Sequence, residues 1–377
     1  MATNADDFFD DKRPWSIIKD QVLRSYLPSY LAKVNKLGKP ILIVDGFAGP
    51  GKFEDGSEGS PLIICSAAES FVPGKYRAFF INKDRVHHEK LTNFLLEANL
   101  LEPTVTPILG DAVEILPNLR RNIRDHTVFL YLDPFGPTGS PFHILEPFLT
   151  RDKRFSTEIV LMMHMPIVHR LAARNAVLEG REYDTLIQQY HTAMTETFGG
   201  EYWKSIMLDD QLSPEEREFH LINAYKEKLS QYLPFVGSCP VRASRHERIK
   251  YFIVFASRHP DAMLLMNDSM AQAYSRRMHE VAVAGTFFEK SDWQNERNVT
   301  GLREAVLAQV ERNPGLSRIN LWLKIVQANF MLYLEKEYRQ TVQQLVDEGV
   351  LFCPTPRPTK RLNDQCELFV STKQTLG

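Results

Sequence analysis

Apolar and polar positions along the first half of the chain fall into short blocks whose period keeps switching. In "WSIIKDQVLRSYLPSYLAKV" the apolar residues Ile17, Val22, Tyr26, Tyr30 and Val34 sit close to helical spacing, which predicts a helix. "PILIVDGF" is a short unbroken run of branched residues, the mark of a strand buried on both faces. "SPLIICSAAESF" predicts a helix with Ser60 as N-cap and Pro61 at its first position. A strand in "YRAFFINKD", a helix in "HHEKLTNFLLEANL", and strands in "TVTPILGDA" and "TVFLYLDPFG" follow. "SPFHILEPFL" then reads as a helix capped by Ser140, and "STEIVLMMHMP" as another buried strand. Strand and helix thus alternate over residues 1–168, which predicts a doubly wound, mostly parallel α/β sheet. Ligands of such sheets sit in the crevice at the carboxyl ends of the strands.

Beyond that point the period changes. Residues 169–234 carry amphipathic helical patterns such as "YDTLIQQYHTAMTETF" and no strand signal, so they read as a helical insert. "FVGSCPVRAS" and "IKYFIVFASRH", joined by the basic turn "RHER", predict an antiparallel hairpin that completes the sheet, with a helix, over 235–290. From 291 to 377, "GLREAVLAQVERN", "LSRINLWLKIVQ" and "KEYRQTVQQLVDEG" read as three short helices. Two strand-like runs around a Pro- and Arg/Lys-containing loop follow them, the order of a winged helix.

Composition narrows the setting without changing this picture. The chain has 377 residues, enough for two or three domains, and 44% hydrophobic content, enough for a sizeable core. Its net charge of −2 gives no global basic field, so nucleic-acid contact would need a local patch. The four cysteines, Cys65, Cys239, Cys353 and Cys366, form no C-x-x-C pair. Neither a zinc ribbon nor a disulfide framework is expected, and scattered thiols suit a reducing cytoplasm. No apolar run approaches the ~20 residues of a membrane helix, and the acidic start lacks an apolar leader core.

The candidate chemistry lies at the predicted strand ends. After the first strand comes "DGFAGPG", with Asp45, Gly49 and Gly51. Glycines there permit positive φ and close backbone approach to a ligand. Glu54 stands where the dinucleotide fingerprint needs its third glycine, and "GKF" lacks the hydroxyl of a P-loop. Both departures count against NAD and ATP, and neither harms a cofactor without phosphate such as S-adenosylmethionine. The second strand ends at Asn82, with Asp84 close behind, where nucleoside sites place an acid for the ribose. After the third, Asp111 and the Ala112 N–H suit an adenine ring, while "DAVEILPNL" also makes Asp111 a helix N-cap with Glu114 at the capping-box position. After the fourth, "DPFG" offers Asp133 and the Pro134 carbonyl to an amino group and Phe135 as a stacking face, similar to the D-P-P-Y tetrapeptide of amino-methyltransferases. Asp45, Asp111 and Asp133 together are also a candidate magnesium cluster for phosphodiester hydrolysis.

The order "IVDGFAGPGKFEDGSEGSPL", "FFINKD", "ILGDA", "LYLDPFGPTGSPF" and "YFIVFASRHP" resembles the three-Cys-motif partner family (TcmP), from Trp15 to about Met270. The resemblance implies a Rossmann-like, class I methyltransferase fold. It implies an S-adenosylmethionine site at Asp45, Phe47, Ala48, Gly49 and Gly51, with adenosine contacts near Asn82, Asp84, Asp111 and Ala112. Family members carry an acid where this chain has Asn82. The cysteine motif belongs to the implied partner protein, not to this chain, and a non-catalytic subunit of that partner is the alternative to an enzyme. For DNA or RNA, the cations to consider are Arg242, Arg245, Arg248 and Lys250 in the basic turn and Arg357, Lys360 and Arg361 in the wing.

Overall fold

The computed structural model describes residues 16–101, 103–119, 123–284, 286, 293–354 and 362–371. The chain divides into two compact units at His259/Pro260. In the first, α1 (Ser16–Asn35) leads into β1 (Ile41–Asp45), α2 (Ser60–Phe71), β2 (Tyr76–Asn82), α3 (Arg85–Glu97), β3 (Val105–Leu109), α4 (Ala112–Leu119), β4 (Thr127–Leu132), α5 (Phe142–Leu149) and β5 (Thr157–His164). The insert follows as α6 (Met165–Ala172), α7 (Arg174–Leu178), α8 (Thr185–Phe198), α9 (Trp203–Met207) and α10 (Pro214–Ser230). The hairpin β6 (Phe235–Val241) and β7 (Tyr251–Ser257) ends the unit.

The seven strands form one sheet in the order β3-β2-β1-β4-β5-β7-β6. The first five run parallel, while β7 is antiparallel to both β5 and β6. This is the 3-2-1-4-5 order of dinucleotide sheets extended by a hairpin, so the fold is Rossmann-like. Sequence explains which strands are central. Every residue of β1, β4 and β7 is buried, as their unbroken apolar runs require. The edges carry the prolines: Pro107 in β3 and Pro240 in β6, where a missing N–H leaves only one ladder short. Trp203, Tyr225, Phe142 and Phe198 pack the insert onto the β4–β5 side of the sheet in one core with Leu130 and Leu161.

Two helix starts differ from expectation. The N-cap of α2 is Gly59, and Ser60 is its first residue; the Ser60 hydroxyl is drawn away to the buried Asp45 carboxylate. The cap of α5 is Pro141, in extended conformation, with Ser140 buried one residue before it at the end of the turn Pro137–Gly139. Asp111 does cap α4, accepting the Val113 N–H at 2.9 Å.

The second unit contains α11 (Pro260–Val283), α12 (Leu302–Arg312), β8 (Leu316–Ser317), α13 (Arg318–Ala328), α14 (Glu335–Asp347), β9 (Leu351–Phe352) and β10 (Glu367–Val370). Its three short strands pair antiparallel in the order β8-β10-β9, and Trp322 stacks on Tyr338 in its core. Cys353 and Cys366 are joined as a disulfide across the β9–β10 loop, against the expectation of free thiols, because pairing of β9 with β10 brings their Cα atoms to 6.1 Å. Cys65 and Cys239 are free and buried. Arg357, Lys360 and Arg361 lie outside the described residues. Among the described residues, no helix is long and apolar enough to cross a membrane.

Candidate functional site

The parallel strands deliver Asp45, Asn82, Asp111 and Asp133 to the same edge of the sheet, and two adjoining cavities open there. One, of about 330 Å³, is lined by Phe47, Gly49, Gly51 and the segment Asp133, Pro134 and Phe135. The other, of about 530 Å³, is lined by Ala48, Asn82, Asp84, Asp111 and Ala112. Phe47 and Phe135 line both, so one ligand can span them. Phe135 is 61% exposed.

Asp45 lies beneath this crevice and lines neither cavity. It is fully buried; one oxygen accepts the Phe47 N–H at 3.0 Å and the other the Ser60 hydroxyl at 2.7 Å. Burial pushes its carboxyl up to about 7, against the pull of those two hydrogen bonds. Asp45 thus anchors the glycine loop to the first turn of α2. Gly51 adopts φ +85°, and its carbonyl accepts the Gly59 N–H at 2.7 Å, closing the loop. Gly139 is required for a different reason. A Cβ there would lie 2.8 Å from Pro134 and 3.2 Å from the Phe47 ring.

Asn82 braces the second cavity. Its amide donates to the Gly49 carbonyl at 3.3 Å and accepts the Asp84 N–H at 3.1 Å, tying the glycine loop to the β2 turn. An Asp in its place has no N–H to offer Gly49. Asp84 caps α3 through the His87 N–H at 2.8 Å. Asp111 pairs with Lys83 at 2.8 Å, and that bond, with the one from Val113, holds its carboxyl below the ordinary value.

Asp133 is the electrostatic centre of the first cavity. It forms an ion pair with Lys19 of α1, and His164 at the end of β5 stands 3.6 Å from its other oxygen. Burial works to raise the Asp133 carboxyl, but Lys19 and His164 outweigh it and hold the group well below the ordinary range. Burial likewise works to lower the Lys19 ammonium, and the carboxylates of Asp133 and Asp20 more than offset it. No lysine or histidine stands near Asp133 in sequence, so this pair was missed. The available signals were Lys19 on the same helix stripe as the buried Leu23 and Tyr26, and a histidine closing a strand directly after the apolar run Ile159–Met163.

The three aspartates do not form a metal centre. Asp45 is satisfied from below, Asp111 by Lys83 and Asp133 by Lys19. Among the described residues, no group of three or more His, Cys, Asp or Glu side chains is arranged to hold a metal ion. The cations of the basic turn also separate. Arg242 is held by Glu215 at 2.5 Å and by the Glu247 carbonyl at 2.7 Å. Lys250 lies 3.3 Å from Glu247 and lines the first cavity, while Arg245 and Arg248 are exposed.

No family model and no curated protein matches this chain. Solved structures do, at low similarity. A spermidine synthase in complex with the transition-state analogue AdoDATO aligns with a TM-score of 0.34 and 9% identity over 68% of this chain. This chain spans just under two thirds, 64%, of that one. The O-methyltransferase TomG from Streptomyces achromogenes, in complex with SAM, gives a TM-score of 0.34 at 14% identity, over 67% of this chain and 92% of its own. An O-methyltransferase from Bacillus cereus in complex with SAH gives 0.32 at 12%, over 66% and 93%. Likeness this distant assigns no residue of this chain a role.

Proposed function

We propose that this chain is an S-adenosylmethionine-dependent methyltransferase acting on an amino group. The observation that carries the proposal is the pair of adjoining cavities, one acid-lined and one centred on an ionised Asp133 beside an exposed aromatic, at the carboxyl edge of a Rossmann-like sheet. The charges lining them favour a nucleoside cofactor without phosphate. Lys19 and Lys83 face Asp133 and Asp111, and Lys250 stands beside Glu247, so each lysine at the crevice already has a carboxylate. A triphosphate or pyrophosphate would need them free. The glycine loop suits the amino-acid end of the cofactor, while Asp84, Asp111 and the Ala112 N–H suit the nucleoside end.

When bound, the cofactor supplies an electrophilic methyl group on a sulfonium. The chain's task is then alignment more than strong base catalysis. Asp133 retains lone pairs beyond its ion pair and accepts a hydrogen bond from the acceptor N–H, which aims the nitrogen lone pair. The Phe135 ring covers a planar acceptor. The proton the amine sheds passes to solvent at this exposed rim.

The TcmP resemblance belongs to this proposal, with a three-Cys-motif protein as partner, a winged-helix role for the second unit and a cytoplasmic setting. Calorimetric titration with S-adenosylmethionine tests the reading. Wild type is expected to bind and Asp45→Ala to bind weakly, because its loop loses both anchors. No heat from the wild type refutes the proposal. Binding without methyl transfer to nucleic acid or to the partner leaves the chain as that partner's non-catalytic subunit.

A further inference from the structure

A third cavity, of about 820 Å³, lies beside the first; Pro166 lines both, and the chain runs from Arg248 and Ile249 in one directly to Lys250 in the other. Four arginines line it: Arg170, Arg174, Arg217 and Arg248. Its acids are already engaged. Glu218 stands 2.8 Å from His169 Nε2, and Glu215 holds Arg242 at 2.5 Å. Among the described residues, neither Arg170, Arg174 nor Arg248 has an acidic partner.

Arg170 and Arg248 are exposed to water, and the cost of burying charge falls on Arg174 and Arg217. Arg217 is only 7% exposed, and although it donates to the carbonyls of Asp209 and Leu212, its Nε is buried without a partner, as is that of Arg174. Burial, and then the neighbouring Arg174 charge, pull the Arg217 guanidinium below its ordinary value. Ala173 takes a left-handed conformation, φ 49°, that ends α6 and restarts the chain with Arg174. The N-terminus of α10 adds little, because its capping box of Ser213 and Glu216 closes it. The arginines therefore supply the field, and guanidinium forks match the oxygens of phosphate.

We propose that this arginine cavity binds a phosphate group of the methyl acceptor, so that the acceptor is a nucleotide whose base enters the Asp133–Phe135 site. Its placement as the acceptor's anchor rests on the methyltransferase reading; phosphate binding itself does not. The phosphate belongs either to a nucleic-acid strand or to a free nucleotide.

The test uses the full chain and a fluorescent short single-stranded oligonucleotide read by anisotropy, with unlabelled mononucleotide and pyrophosphate as competitors. The wild type is expected to bind, and R174Q/R248Q to bind about tenfold more weakly or worse, as befits the removal of charged hydrogen bonds. Its slope of log K against log salt should flatten by about 0.7 for each strand phosphate that is no longer neutralised. Lys75→Gln, exposed just before β2 at the amino end of the sheet and lining none of the three cavities, should leave affinity unchanged. Competition by mononucleotide at equal strength identifies a free nucleotide as the source; failure of mononucleotide to compete identifies a strand. If the wild type binds none of these phosphates, or R174Q/R248Q matches it, the proposal is overturned. Calorimetry with S-adenosylmethionine on the same variant separates the two readings, since loss of phosphate binding with cofactor binding intact leaves the first cavity's role untouched.

Discussion

Replacing Asp45 by Asn should stabilise the protein, and by an amount that depends on pH. The folded chain holds the Asp45 proton up to about pH 7, whereas an ordinary carboxyl releases it near 3.8. Between those values the folded state binds more protons than the unfolded, so stability falls as pH rises. Each pH unit of separation is worth about 1.4 kcal/mol, so the wild type gives up about 4 kcal/mol by pH 8. In Asp45→Asn the amide oxygen keeps the Phe47 N–H, and the amide nitrogen donates to the Ser60 oxygen once that hydroxyl turns round. Urea melts of both proteins from pH 4.5 to 8.5 should show the gap growing by about 1.4 kcal/mol per pH unit, from about 1 kcal/mol at pH 4.5, and levelling off at about 4 kcal/mol above pH 7. Glu158, also buried and pushed up to about 8, adds the same downward slope to both proteins and cancels in the difference. A gap independent of pH, or an Asn variant less stable at pH 8, refutes the reasoning.

Lys19→Met should destabilise by about 2–3 kcal/mol at pH 7, somewhat less than for a fully buried broken pair because both side chains keep slight exposure. The loss should shrink in acid as Asp133 becomes protonated, which melts at pH 4 and 7 will show. Phe135→Ala should leave melting unchanged, since the ring is exposed, yet weaken acceptor binding by about 1–3 kcal/mol if the acceptor is a base, read as a rise in KM. Gly139→Ala should cost about 1–3 kcal/mol by overpacking and lower cofactor affinity in calorimetry, because Phe47 must move.

The sheet was legible because its information is local. An unbroken apolar run such as Ile41–Val44 announces a strand buried on both faces, and the hairpin Phe235–Ser257 carries its own pairing. The strand-end acids could be placed on one edge for the same reason, since a parallel sheet brings all carboxyl ends together. Pairings across long sequence gaps were not legible. Lys19 reaches Asp133 across 114 positions, and only the position of α1 against the β4 end determines that contact. The arginine cavity is similar: Arg170, Arg174 and Arg217 read as ordinary solvated charges of a helical insert until α6, α7 and α10 are set side by side. Asp45 was legible as a strand-end residue but not in its depth, because a strand-end aspartate looks the same whether it faces the crevice or supports it from below.

That depth explains why three aspartates on one sheet edge take different protonation states. Asp45 has only neutral donors, an amide and a hydroxyl, so burial wins and its carboxyl rises to about 7. Asp111 and Asp133 each have a lysine ammonium, and both carboxyls are held down. Full charge at neutral pH is thus confined to the two positions that face the cavities, while the residue that supports the glycine loop is poised to be neutral. An ionised Asp45 would place a carboxylate without a paired cation beneath the proposed cofactor site, whose ligand itself carries a carboxylate. The separation of pKa values along this edge matches the roles proposed above, with Asp45 positioning the loop and Asp133 facing the acceptor. Exchanging the environments, by removing Lys19 or by giving Asp45 a cation, should disable the site even though every other lining residue is unchanged.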